Sequence, residues 1–132
     1  MKRRGILAGS TLVAILLLAG CGLAGTTAGT RPGDVRVTAT EFRFEASQTT
    51  FTVGTPYRFL LTNSGLEAHD WMIMPRGEVD ESKKVIGVED DEFGPRASVT
   101  RDFTFSTPGN YEMACHVSGH YEAGMVLPII VN

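Results

Sequence analysis

The segment Cys115–Met125, CHVSGHYEAGM, concentrates side chains that bind soft metal ions. It contains a thiol at Cys115, imidazoles at His116 and His120, and a thioether at Met125. Sulfur and imidazole groups are donors that copper and zinc ions accept in proteins. The segment is therefore predicted to be a metal-binding loop.

The spacing of these donors allows three of them to meet. A loop that bends back on itself can bring Cys115, His120 and Met125 to one point, and two glycines in the segment permit the turns that this needs. A fourth donor must come from elsewhere, and His69 is the one remaining histidine besides His116. Two imidazoles, a thiolate and a weak thioether are the donor set of blue-copper electron-transfer sites. Structural zinc sites are usually closed tetrahedra of Cys and His alone.

The same residues carry a resemblance to a known family. CHVSGHYEAGM, with His69 upstream in NSGLEAHDWMI, resembles the cupredoxin family, which includes plastocyanin, azurin and auracyanin. The resemblance runs over about residues 34–132 and implies an all-β, Greek-key β-sandwich that binds one type 1 copper ion. The family's copper ligands correspond to His69, Cys115, His120 and Met125. It also implies an electron carrier, with copper cycling between Cu(II) and Cu(I), rather than an enzyme. His120, on the loop that contains the two glycines, is then expected to form the exposed edge where electrons enter or leave.

One departure from the family concerns Asp70, which follows the first ligand. Cupredoxins often carry Asn at this position, where the side chain ties the loop of the His to the loop of the Cys. Asp70 can accept the same backbone N–H bonds, but it brings a negative charge near the metal.

A second departure is His116, directly after Cys115. The order Cys-His-x3-His-x4-Met also resembles the last domain of multicopper oxidases, which have His on both sides of the Cys. Here Ala114 precedes the Cys, and three histidines in the whole chain are too few for a three-copper cluster. Strand alternation turns His116 away from the copper side, which favours a surface or packing role.

Two other functions remain open from the sequence. The protein could store copper, confer resistance to it or deliver it to another exported protein. Sites that transfer metal often have additional Met or His residues near the ligands, and His116, Met72 and Met74 are candidates for such residues. It could also be a metal-free adhesion lipoprotein with an immunoglobulin-like sandwich. That alternative leaves a free exported thiol at Cys115 without a role.

The elements that would position the loop have a β pattern. Apolar residues occupy odd positions from Val35 to Ala39 and even positions from Phe42 to Ala46, a slip that suggests a bulge near Thr40–Glu41. Further short apolar runs separated by turn signals predict a β-sandwich. They are YRFLLTN, HDWMIM, ASVTRDFTF, YEMAC and MVLPIIV. In the last of these, Pro128 suggests an edge position or a bulge.

Residues 76–94 are rich in acidic side chains, and their apolar residues follow neither the helix period nor the strand period. A short helical turn around Ser82–Ile86 is possible. The segment is either a solvated loop, as most charge runs are, or an acidic docking face for a basic partner such as a cytochrome.

The N-terminus predicts export. Residues 1–20 combine three basic residues with a short apolar run and small residues, as a secretory signal does, and the run is shorter than the roughly 20 residues of a membrane-spanning helix. Leu18–Cys21 resembles a bacterial lipobox, which implies that Cys21 is lipidated and anchors an extracytoplasmic lipoprotein to a membrane. The alternatives are an uncleaved membrane anchor and a Cys21–Cys115 disulfide, since paired cysteines of exported proteins often form disulfides. Residues 21–33 have the composition of a flexible tether, and residues 34–132 form the copper-binding domain.

Composition limits the partners. The chain is 42% hydrophobic and 20% charged, which is ordinary for a globular protein. Loss of residues 1–20 takes the formal charge from −3 to −6, so nucleic acid, which needs clustered basic residues, is not favoured. We predict a monomer whose partners are redox proteins, such as a cytochrome or a membrane oxidoreductase.

Overall fold

A computed structural model describes residues 31–132, which form two β-sheets around one hydrophobic core. The strands are β1 (Asp34–Thr40), β2 (Arg43–Ala46), β3 (Thr50–Phe51), β4 (Pro56–Asn63), β5 (Trp71–Pro75), β6 (Ile86–Val88), β7 (Ser98–Thr104), β8 (Gly109–Ala114) and β9 (Val126–Val131). A single 3-10 turn, Glu81–Lys83, is the only helical segment of the described residues. The predicted all-β fold class is therefore confirmed.

The sheets have the strand orders β2-β1-β4-β7 and β3-β9-β8-β5-β6. The β1–β4 and β3–β9 pairs are parallel, and the other pairs are antiparallel. Alternate residues of each strand point into the space between the sheets, where the Phe59 and Trp71 rings lie 5.1 Å apart. Trp71 is fully buried there, so its ring belongs to the core.

Apolar residues change from odd to even positions after β1 because the chain forms a hairpin there. The bulge predicted near Thr40–Glu41 is therefore wrong. Thr40 pairs with Arg43, so Glu41 and Phe42 form a two-residue turn. The chain reverses there, and Ala39 pairs with Phe44. Directly paired residues point to the same face of a sheet, which explains why both are buried although one is odd and the other even.

Two other local predictions concern the second sheet. The helical turn expected at Ser82–Ile86 is the 3-10 turn Glu81–Lys83, and Ile86 begins β6, which pairs with β5 at the edge of this sheet. β9 lies between β3 and β8, but β3 pairs only with Ile130 and Val131. Pro128 therefore pairs on one side only, opposite Glu112 of β8, which agrees with the predicted edge position.

No helix within residues 31–132 is long and apolar enough to span a membrane. The predicted signal 1–20 and lipidated Cys21 lie outside the described residues, as does most of the tether 21–33.

Candidate metal centre

The predicted ligands come from two loops. His69 lies in the loop between β4 and β5, and Cys115, His120 and Met125 lie in the loop that joins β8 to β9. The second loop is held by its own backbone. Cys115 N donates to Met125 O at 3.1 Å, and Met125 N donates to His120 O at 3.0 Å. These bonds fix the spacing of the three side chains along the loop.

Glycines make the turns of this loop. Gly119 has a φ of 85° and Gly124 a φ of 95°, in the left-handed region that residues with a Cβ rarely adopt. The first turn precedes His120 and the second precedes Met125, so each turn brings one of the predicted ligands back over the end of the sandwich.

Three of the four side chains form a compact cluster. The Nδ1 atoms of His69 and His120 lie 3.2 Å apart, and Cys115 Sγ lies 3.4 Å from His120 Nδ1. The donor atoms of the three residues all lie within 4.8 Å of one another, and all three residues are buried. Met125 is also fully buried and belongs to the same core cluster as Cys115.

Burial favours the uncharged forms of the Cys115 thiol and the His69 imidazole. It raises the pKa of the Cys115 thiol to about 12, and the nearby Asp70 charge adds to the effect. Burial also lowers the pKa of His69, with the charge of His120 as the next cause. Without a metal ion, the thiol is therefore protonated at neutral pH. A bound cation is the partner that would stabilise the thiolate.

The residues present fit a copper ion. Donor atoms of three residues face one another in a buried space, and the Nδ1 atoms of His69 and His120 can form a hydrogen bond with each other only if one of them carries a proton. Imidazole and thiolate are copper donors, and the buried Met125 carries a thioether, a group that is absent from zinc sites made of Cys and His alone. His69, Cys115, His120 and Met125 are the residues that would hold the ion.

Solved structures with the same architecture include copper proteins, since auracyanin A of Chloroflexus aurantiacus is described as a "blue" copper protein and rusticyanin as a copper protein. An auracyanin from Roseiflexus castenholzii is 20% identical, covers 76% of this chain and 97% of its own, and has a TM-score of 0.62. Rusticyanin from Thiobacillus ferrooxidans is 18% identical, covers 76% of this chain and 78% of its own, and has a TM-score of 0.60. The chain has the cupredoxin fold.

Sequence comparison adds one curated relative. The copper-resistant cuproprotein CopI of Rubrivivax gelatinosus is 28% identical over 119 residues, which cover 77% of this chain and 72% of the relative. No family model matches the chain.

Within this cupredoxin fold, Asp70 joins the two loops. Its Oδ1 accepts a hydrogen bond from His116 N at 2.8 Å. Asp70 is buried, and burial raises its pKa, while the bond from His116 opposes that shift. The side chain therefore fixes the position of His69, its chain neighbour, relative to Cys115, the neighbour of His116.

Asn63 is a supporting residue that the sequence pattern does not mark as functional. Its buried amide Nδ2 donates to Glu67 O at 2.8 Å and to Phe93 O at 2.9 Å, and its Oδ1 accepts from Gly65 N. His69 N in turn donates to Phe93 O at 3.3 Å. Asn63 thereby shapes the loop that carries His69. Its position at the end of a strand was visible in the sequence, but its partners were not.

His116 lies outside the cluster. Its ring stacks on Tyr121, with centroids 5.0 Å apart and planes inclined by 17°, and the Tyr121 hydroxyl donates to Glu112 at 2.9 Å. This packing agrees with the role predicted for His116, and it leaves the imidazoles of His69 and His120 as the histidine donors of the cluster.

His120 is the predicted ligand nearest the surface, yet it is buried. Phe42 meets its ring edge-on at a centroid distance of 5.2 Å, and Glu67 Oε2 lies 3.2 Å from its outer nitrogen, Nε2. Both covering side chains are exposed on their other sides. The expectation that His120 itself forms an exposed edge is therefore wrong, because Phe42 and Glu67 cover it.

Proposed function

We propose that this protein is a type 1 blue copper protein that carries single electrons between redox partners. The observation that carries the proposal is the buried cluster of His69, Cys115 and His120, with donor atoms within 4.8 Å of one another. Met125 is the proposed weak fourth ligand. When bound, copper supplies a one-electron couple between Cu(II) and Cu(I), and the chain acts as a carrier rather than as an enzyme.

The chain's own residues suit this role because they hold the donors in place. The backbone bonds of the β8–β9 loop, the Asp70 bond to His116 and the Asn63 bonds to the other loop constrain both sides of the site. A site that cannot relax toward the preferred geometry of either copper state loses little energy to rearrangement when the electron moves. Burial of Cys115 also excludes water from the thiolate.

The proposed location is the outer face of a membrane. It rests on the predicted signal 1–20 and the lipobox-like Leu18–Cys21, both outside the described residues. A lipidated Cys21 followed by the tether 21–33 would let a monomeric domain reach a cytochrome or a membrane oxidoreductase. Electron-transfer encounters of this kind are usually small and weak.

The test is a visible absorption spectrum of residues 22–132 loaded with Cu(II). We expect an intense blue band from thiolate-to-copper charge transfer, and we expect it to disappear on reduction and return on reoxidation. Copper binding without the band would mean that Cys115 is not a ligand. A failure to bind copper would overturn the proposal.

A second function, copper resistance, storage or delivery, is favoured by the relative described as copper-resistant cuproprotein CopI. The two functions use the same ligands and differ in how readily the ion leaves. Transfer of copper to a chelator within minutes would favour copper handling. Retention over hours, with reversible one-electron cycling, would favour electron transfer.

Asp70→Asn tests how the protein sets the reduction potential. The amide oxygen keeps the hydrogen bond from His116 N, but a negative charge beside the site is lost. That charge stabilises the more positive Cu(II) state, so its removal should raise the potential by on the order of 60 mV, a tenfold change in a one-electron equilibrium. A redox titration measures this. Asp102→Asn removes an equal charge from an exposed residue of β7 and should leave the potential nearly unchanged. An unchanged or lower potential in Asp70→Asn would contradict the prediction.

A further inference from the structure

An open cavity of about 580 Å³ lies at the end of the sandwich opposite the metal centre. It is lined by the turn that leads into β1 (residues 31–34), the start of β4 (residues 56–58) and the end of β7 (residues 102–104). β4 runs from this cavity to the loop of His69, and its eight residues span roughly 23 Å at about 3.3 Å per step. A cavity of this volume can hold a small ligand.

One side of the cavity is fixed by a buried ion pair. Nε and Nη2 of Arg58 donate to Oδ1 and Oδ2 of Asp34 at 3.0 and 3.1 Å, and the Asp34 side chain is 3% exposed. The backbone N of Arg31 donates to the same carboxylate at 2.8 Å. Gly33 has a φ of 89°, and a Cβ there would lie 2.9 Å from Pro56 O, so the turn packs closely on β4. The guanidinium of Arg58 is therefore held in place before any ligand arrives.

The ion pair leaves polar groups available to a ligand. Among residues 31–132, Nη1 of Arg58 has no hydrogen-bond partner. Asp102 lies directly opposite Arg58 in the β4–β7 pairing, yet this exposed carboxylate forms no ion pair with a described residue. The exposed Arg31 lines the same cavity. The cavity thus offers donors from two guanidinium groups and one carboxylate acceptor.

These groups fit a ligand that carries a positive and a negative charge. Arginine matches the geometry of phosphate, and a carboxylate accepts strong hydrogen bonds from an ammonium group. Pro32, Pro56 and the partly buried Phe103 provide apolar contact for a short carbon chain between the two charges. An anion without an ammonium group would be repelled by Asp102, and a cation without a phosphate would be repelled by the arginines.

The position of the cavity indicates where such a ligand comes from. The predicted lipid anchor, Cys21, precedes Arg31 by ten residues, and a chain of that length reaches at most about 35 Å. The lipid headgroups are therefore within reach of the cavity. Loss of residues 1–20 gives a formal charge of −6, which opposes contact with anionic headgroups but not with zwitterionic ones.

We propose that this cavity binds the phosphoethanolamine headgroup of a membrane lipid, with the phosphate on Arg31 and Arg58 and the ammonium on Asp102. The inference rests on the proposed membrane location and adds an orientation to it. A domain bound in this way holds the end that carries His69 roughly 23 Å from the headgroups. The metal centre then faces away from the bilayer.

Soluble headgroups test the cavity directly, by NMR of residues 22–132, which include both sheets. Glycerophosphoethanolamine should shift amide signals within residues 31–34, 57–58 and 102–104, with half-saturation at about millimolar concentration. Glycerophosphoglycerol lacks the ammonium and should bind about five-fold more weakly, the factor for one charge pair at contact in water. Asp102→Asn should abolish this preference, and Arg31→Gln should weaken both ligands.

The matched controls remove the same charges at the other end of the sandwich. Arg43 pairs with Thr40 at the end of β1 that is remote from the cavity, and Asp91 is an exposed carboxylate outside the cavity lining. Arg43→Gln and Asp91→Asn should bind both headgroups as the unmodified protein does. Equal binding of the two headgroups to the unmodified protein would overturn the proposal. Inorganic phosphate that binds as tightly as glycerophosphoethanolamine would also overturn it, because the cavity would then be a site for free phosphate.

The orientation is tested on a bilayer. Residues 21–132 are coupled through Cys21 to a maleimide lipid, since Cys115 is fully buried, and placed in nanodiscs that contain a gadolinium-chelating lipid. In phosphatidylethanolamine, relaxation should be strongest at residues 31–34 and 102–104 and weakest at residues 116–124. Phosphatidylglycerol nanodiscs and the Asp102→Asn variant should each reduce this contrast. A contrast that depends on neither would show that the tether alone orients the domain, which would overturn the proposal.

Failure of the functions on which the inference rests has a different signature. Without the electron-transfer function, the blue band is missing. Without the predicted anchoring, Cys21 carries no lipid in the mature protein. Neither result changes the headgroup titration of the metal-free domain, so the cavity is tested independently of both.

Discussion

We expect the Cys115→Ser variant to lose the blue absorption band completely when it is loaded with Cu(II). The band requires a thiolate bound to copper, and Cys115 is the one cysteine of residues 22–132. Its Sγ lies 3.4 Å from His120 Nδ1 within the buried cluster, so no other sulfur with an ionisable proton can replace it. A serine hydroxyl is a hard donor that suits Cu(I) poorly. Mutation of a residue that only supports a ligand typically lowers metal affinity by up to about 100-fold, so the loss of the ligand itself should lower copper affinity by more than that.

The fold should tolerate this change, because serine and cysteine are nearly the same size and the new hydroxyl can bond to His120. The matched control is His116→Ala, which removes the adjacent side chain while its backbone N–H still bonds to Asp70. That variant should keep the band and lose only the stacking on Tyr121. A blue Cys115→Ser protein, or a colourless His116→Ala protein with bound copper, would contradict the assignment of ligands.

The β-sandwich could be predicted because burial on one side of a sheet imposes a period of two. Val35, Val37 and Ala39 are all buried, as their alternation indicates. The hairpin after them was missed because its turn contains Phe42 at a positive φ, where the residues typical of such turns are glycine and asparagine. An aromatic residue in that position gives no turn signal, so the change of phase was attributed to a bulge.

The cluster of His69, Cys115 and His120 could be predicted from the sequence for a different reason. Cys115 and His120 belong to one short loop, and local spacing with glycines largely determines how such a loop folds. His69 was assigned by the scarcity of histidine and by its position at the start of an apolar run. Neither argument needed knowledge of contacts between distant segments.

The cover over His120 could not be predicted in this way. Phe42 and Glu67 lie 78 and 53 residues before His120 in the chain, and they meet it only because the β1–β2 turn and the β4–β5 loop pack at the same end of the sandwich. Glu67 stands in a loop without periodicity, where a carboxylate is normally solvated. The prediction that the His120 side chain is exposed was therefore wrong, although His120 does lie near the surface.

The second large effect is expected from His120→Gly with added imidazole. Removal of the side chain takes away one donor of the cluster and leaves a space of imidazole size beneath Phe42 and Glu67. The blue band should be lost or strongly altered. Free imidazole should restore it, with its outer nitrogen close to Glu67 Oε2, which lies 3.2 Å from Nε2 of His120. Half-recovery is expected at about millimolar imidazole, since a fragment of this size has few contacts to offset its lost freedom.

His69→Gly is the matched control, because it removes the same kind of donor from a deeper position. His69 is fully buried, whereas the cover over His120 consists of two side chains that are exposed on their outer sides. Imidazole should therefore restore the band in His120→Gly at concentrations that leave His69→Gly unchanged. Equal recovery in both variants would show that access does not depend on the Phe42 and Glu67 cover. Recovery in neither would mean that His120 does not bind copper at the surface side of the site.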